Sequence, residues 1–132
     1  MIYKVNKMYK FEAAHRLMDD NSECANLHGH SYKVEVELKA KSWRVRENDG
    51  KVLDFNIIDD IVGNLIDDLD HSYLNEVLAT EEMNTTAENL AAFVFDQVAN
   101  GLMAESLCTG VRVSKVRVYE TEKCFAEVTD DA

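Results

Sequence analysis

The run Cys24-Ala25-Asn26-Leu27-His28-Gly29-His30 holds the densest chemistry in the chain. Two histidines two apart on an extended strand project from one face, so their imidazoles can share an ion. His15 stands late in the preceding extended stretch, and antiparallel pairing of the two strands brings it to that face as a third nitrogen ligand. Three neutral imidazoles with an open fourth position suit a catalytic zinc, whereas a structural zinc is usually closed by four residues, mostly cysteine. Alone, H-x-H reads better as two half-exposed strand histidines. Of the chain's 4 histidines, however, His15, His28 and His30 all converge by strand geometry, which favours metal. Gly29 either admits close approach of another backbone or marks a bulge.

Cys24 lies in a polar loop that is expected to hang over this site. A nearby dication or imidazolium would stabilise its thiolate, giving a general base that works near neutrality. The remaining histidine follows an acid, in Leu69-Asp70-His71-Ser72-Tyr73-Leu74-Asn75. Two readings of it stand side by side. His71 either complements the end of a helix, or is a proton shuttle whose tautomer Asp70 holds. Glu120 by itself reads as an exposed charge at a strand end.

The elements that must position these groups follow from periodicity. Residues 2–17 alternate as a long strand, with Phe11, Ala13 and His15 on one face. A second strand runs from His28 to about Arg46, with Tyr32, Val34, Val36 and Leu38 on one side, and Asn48-Asp49-Gly50 marks a turn after it. Apolar residues from Ile57 to Leu69 recur at helical spacing, and Thr85-Thr86-Ala87-Glu88 reads as a capping box opening a second helix. Val111 to Glu120 and Cys124 to Val128 read as two final strands. The expected fold is therefore α+β: a four-stranded antiparallel sheet in the order ββααββ, with both helices on one face.

At 132 residues, 46% of them hydrophobic, the chain reads as a single domain spanning 1–132. Its net charge of -11 argues against nucleic-acid or anionic-membrane partners, which need clustered Lys and Arg. Any anionic substrate must meet a local exception, around Arg16 or the Lys33 side of the second strand. The first residues alternate apolar with polar and lack a signal-peptide block, and 3 cysteines without framework spacing favour free thiols, so a cytoplasmic location is expected.

With these motifs on the page, the chain resembles the 6-pyruvoyl-tetrahydropterin synthase superfamily. The likeness runs through Phe11 to Leu17, Cys24 to His30, Val52-Leu53-Asp54-Phe55, Leu69 to Asn75, Thr85 to Asn89 and Val118-Tyr119-Glu120-Thr121. The resemblance implies the T-fold, in which subunits join their sheets into a barrel, commonly as a homohexameric dimer of trimers with active sites between subunits. It implies zinc on His15, His28 and His30, Cys24 as catalytic base, and Asp70 with His71 as a second proton-transfer pair. It also implies that Glu120 anchors a pterin ring, helped by Thr86 or its neighbours. The C-x-x-x-H-G-H spacing is similar to the carboxy-tetrahydropterin branch of the queuosine pathway, which acts on dihydroneopterin triphosphate. The alternatives are the pyruvoyl branch and a non-catalytic pterin- or metal-binding oligomer. Thr85 departs from the pattern, standing where relatives often have Pro.

Overall fold

The computed structural model describes residues 1–17, 25–78 and 84–130. Two long strands, β1 (Ile2–His15) and β2 (His28–Lys41), pair antiparallel in unbroken register from Ile2 opposite Lys41 to His15 opposite His28. β4 (Arg112–Thr121) pairs antiparallel with β2, and β5 (Cys124–Thr129) with β4. A fifth strand, β3 (Ser72–Tyr73), lies against the other edge of β1, so the sheet order is β3-β1-β2-β4-β5. Among the described residues five strands replace the expected four, and β3 is parallel to β1 through Ala13–Ser72 and Ala14–Tyr73. The wholly antiparallel sheet and the simple ββααββ order are corrected accordingly.

The helical part is also more divided than periodicity suggests. The second strand ends at Lys41 rather than near Arg46, and Ser42–Glu47 form a short helix α1. Arg44 ties it down by donating to the carbonyls of Val52 and Leu107. The first predicted helix comprises α2 (Phe55–Ile58), a π-turn at Asp59–Gly63 and α3 (Asn64–Leu69). Asp54 caps its start by accepting from the Asn56 amide at 2.8 Å. Asp59, in the π-turn, is gripped by Lys7 and by the Tyr9 hydroxyl at 2.7 Å. After the short α4 (Leu74–Val77), the long α5 (Ala87–Ala104) crosses the same sheet face. It packs so closely on the π-turn that a Cβ at Gly101 would stand 2.7 Å from Ile61 Cγ2.

Alternation decides what is buried. Phe11, Tyr32, Val34, Val36, Val116 and Val118 face Ile58, Val62, Leu69, Leu90 and Val94, all at most 2% exposed. Each such side chain contributes about 1.5–3 kcal/mol relative to exposure. The opposite sheet face is charged. Lys115 meets Glu35 and Glu37 at 3.6 and 3.4 Å, and Arg117 meets Glu127 at 2.8 Å, so that face needs no apolar cover.

Candidate active site

His15 and His28 are direct cross-strand partners and His30 pairs with Ala13, so the three rings emerge together on the helix-covered face. Their centroids stand 4.6, 5.0 and 4.9 Å apart. One ring nitrogen from each lies within 4.8 Å of the others, a group able to hold a metal ion.

The tautomers carry more information than the distances. His15 Nδ1 lies 2.8 Å from the Thr85 carbonyl and His28 Nδ1 lies 2.7 Å from the Asn26 carbonyl. A carbonyl only accepts, so both Nδ1 atoms carry the proton, and in neutral rings both Nε2 atoms are bare lone pairs. These two Nε2 atoms are 3.1 Å apart. Two lone pairs at that separation repel unless a cation, either a proton or a metal ion, sits between them. Burial of His15 holds its pKa below the ordinary imidazole value, against the opposing pull of the Thr85 bond and the Glu120 charge, which disfavours the proton. His30 Nε2 is buried without a hydrogen-bond partner among the described residues. An unpaired buried nitrogen is costly, and a shared ion satisfies all three. The donor set fits a metal.

The hydroxyl of Tyr32 is the other buried polar atom left without a partner among the described residues. Its ring stacks on Phe11 and packs edge-on to His15 and His30, and burial together with the Glu120 charge pushes its pKa up.

Glu120 lies on the same face, two residues beyond Val118 on β4. It lines a cavity of about 500 Å³ with Thr86, Glu88, Cys124 and Phe125. Glu120 and Thr86 thus meet in one cavity, near enough to His15 for the carboxylate's charge to reach the ring. Thr86 rather than Thr85 is the N-cap of α5: its oxygen accepts from the Asn89 amide at 3.2 Å, leaving its own proton free to donate. Cys124 is an exposed free thiol on this rim, and Cys108 is buried in the core. Cys24 lies outside the described residues.

Asp70 and His71 form a pair, with His71 Nδ1 3.0 Å from Asp70 Oδ2. The other Asp70 oxygen accepts from the Glu12 amide, the largest of the causes that hold its carboxyl below the usual range; the His71 imidazole adds to it. The His71 ring turns to Asp70 and solvent, 80% exposed, rather than to the last carbonyls of α3. Its backbone has φ of 56°, uncommon for a residue with a Cβ and costing roughly 1 kcal/mol. His71 lines a second cavity with Glu12, Gly29, His30, Ser31 and Ser72. Glu12 and Ser31 alternate away from the three histidines. Glu120 lines the first of these cavities and His71 the second. Gly29 marks neither a bulge nor an enforced close approach: its register is continuous, and a Cβ there would meet only the Ala13 carbonyl at an ordinary 3.5 Å.

Periodicity could not reveal the carbonyls of Asn26 and Thr85, because any residue type carries one. Nor did it reveal the partnerless Tyr32 hydroxyl, since Tyr at that position reads simply as core.

Known proteins agree with this architecture. The chain is similar to the 6-carboxy-5,6,7,8-tetrahydropterin synthase of Haemophilus influenzae, 28% identical over 145 residues and covering 96% of this chain and 98% of that one. It is also 28% identical to the enzyme of the same name from Aquifex aeolicus, across 99% and 100% of the two chains. Its backbone follows that of Caenorhabditis elegans 6-pyruvoyl tetrahydropterin synthase with a TM-score of 0.80, at 25% identity and 99% and 97% coverage. The T-fold class holds, with the extra strand β3. The model of the 6-pyruvoyl tetrahydropterin synthase family matches residues 4–131, and the chain belongs to that family.

Proposed function

We propose that this chain, as one domain over residues 1–132, is a zinc-dependent 6-carboxytetrahydropterin synthase, a carbon-oxygen and carbon-carbon lyase. It converts 7,8-dihydroneopterin triphosphate and water to 6-carboxy-5,6,7,8-tetrahydropterin, acetaldehyde and triphosphate, a step toward queuosine and related 7-deazapurines. The observation that carries the reading is the set of three converging imidazoles, two of them with Nε2 fixed as a lone pair, within electrostatic reach of a Glu120 that lines a cavity.

His15, His28 and His30 would hold the zinc, which when bound supplies a Lewis acid that polarises the substrate's side-chain oxygens. Glu120 accepts from the pterin 2-amino and N3 groups in the cavity it lines with Thr86, and Thr86 donates its free hydroxyl proton. These contacts orient the ring so that the side chain points to the histidines. The Cys24 thiolate takes the proton from the activated side-chain carbon. Electrons released there reduce the dihydropterin ring, so the redox change balances within the substrate. His71, held by Asp70, moves protons in the later elimination and cleavage steps.

His71 and Glu120 line different cavities of one chain. This supports a homohexamer, a dimer of trimers, in which the pair completes a neighbour's site. No helix among the described residues is long and apolar enough to cross a membrane. The net charge of -11 goes with a cytoplasmic enzyme without nucleic-acid partners.

Metal-loaded protein given dihydroneopterin triphosphate is expected to release one acetaldehyde per triphosphate and form the carboxy product, read by mass. Triphosphate without acetaldehyde would assign the pyruvoyl reaction instead. Binding with neither product would leave a pterin-binding oligomer. Glu120→Gln should keep the metal and lower kcat/KM by about 10–100-fold, the worth of a hydrogen bond to a charged acceptor. Unchanged kcat/KM would remove Glu120 from the ring-binding role.

A further inference from the structure

Residues 70–75 run beside the last residues of β1 as a strap. The His71 amide donates to the Glu12 carbonyl, and Ser72 and Tyr73 pair with Ala13 and Ala14. The chain then turns into α4, but the ladder continues through a side chain. Asn75 Oδ1 accepts from the Arg16 amide at 2.9 Å, and Asn75 Nδ2 donates to the Arg16 carbonyl at 2.9 Å. A strand residue would make the same two bonds with its own backbone. The orientation of the carboxamide is fixed, because flipping it would set donor against donor and acceptor against acceptor.

A second arm reaches the same point. Thr85 is buried, 1% exposed, and immediately precedes the N-cap of α5. Its hydroxyl lies 3.1 Å from the Arg16 carbonyl, 3.3 Å from Asn75 Oδ1 and 3.2 Å from His15 Nδ1; with Nδ1 donating to the Thr85 carbonyl, one of the first two takes the hydroxyl proton. Its carbonyl holds His15 Nδ1 at 2.8 Å. The peptide bonded to His15 is therefore located both by the rigid start of α5 and by a side-chain clamp on the residue that follows His15.

We propose that Asn75 and Thr85 are positioning residues that lock His15 with Nδ1 protonated and Nε2 bare toward His28 and His30. The proposal rests on the metal reading above. Groups that orient a ligating imidazole from behind typically contribute 10–100-fold to metal affinity. The clamp also ties the His71 strap to the histidine cluster, so both halves of the proposed machinery share one support.

The test uses the full chain, with zinc affinity measured by chelator competition and His15 ring nitrogens observed by ¹⁵N NMR in metal-free protein. Thr85→Val keeps the side-chain shape and removes the hydroxyl, and it should weaken zinc binding about 10–100-fold. Asn75→Ala should do the same. Thr85→Ser, which keeps the hydroxyl, should bind within about threefold of the parent and so separate the hydrogen bond from packing. The parent spectrum should show His15 protonated at Nδ1, and Thr85→Val should show a mixture of tautomers. Should Asn75→Ala fail to fold, the near-isosteric Val and Ser pair decides. Parental affinity in Thr85→Val, or a parent His15 protonated at Nε2, would overturn the clamp. A parent that takes no zinc would overturn the metal reading alone, and the tautomer spectra would still decide the clamp.

Discussion

Replacing His28 with alanine is expected to abolish metal binding and turnover together while leaving the chain folded. His28 sits at the very start of β2, half-buried, so little of the core leans on it. Its Nδ1 is spent on the Asn26 carbonyl and its Nε2 faces that of His15 at 3.1 Å. Removing the ring leaves two imidazoles, too few to hold an ion tightly against water. Turnover should fall on the order of 10³-fold or more, corresponding to several kcal/mol of lost charge stabilisation in the transition state. Stability should move the other way. Without metal, the parent keeps two lone pairs opposed in a partly buried site; the variant relieves that repulsion. Metal-free His28→Ala should therefore melt no lower than the metal-free parent. Metal content by mass spectrometry, turnover and thermal unfolding check the three statements. Parental zinc content in the variant would refute His28 as a ligand.

The meeting of His15, His28 and His30 was legible because it needs only period-two alternation and antiparallel pairing, both strongly written in these strands. Phe11, Ala13, Tyr32 and Val34 fix which face is buried, and a slip of one residue between the two strands would put His15 on the opposite face from His28 and His30. Other features had no such signal. β3 is two residues long and parallel, too short for any alternation, and exists because the Asp70–Asn75 strap finds the free edge of β1. The second strand was read too long because Trp43 and Val45 keep a period of two where contacts from Val52 and Leu107 stabilise a helical turn instead. Thr85 and Thr86 look alike in sequence, yet one serves the histidine and the other caps the helix. The π-turn at Asp59–Gly63 preserves a helical apolar pattern on either side, so periodicity passes over it. The place of Asp70 and His71 beside the end of β1 depends on the strap, which no local pattern discloses.

A second large loss is expected from Cys24→Ala, with kcat reduced 10²–10⁴-fold, roughly the contribution of a positioned general base, and with zinc content and substrate affinity kept. Only Ala25 separates Cys24 from Asn26, whose carbonyl is bound to His28, so the thiol belongs to the same short connection that orients a candidate ligand. A cation held by the three histidines would favour the thiolate over the thiol, giving the base its driving force near neutrality. A purely structural cysteine would behave differently on one readout. If Cys24 removes the side-chain proton, parent enzyme in deuterated water should exchange that carbon-bound hydrogen, and Cys24→Ala should stop the exchange even where residual binding persists. Exchange at the parental rate, or undiminished acetaldehyde release, would take the base away from Cys24 and turn attention to the proposed Asp70–His71 proton-transfer pair.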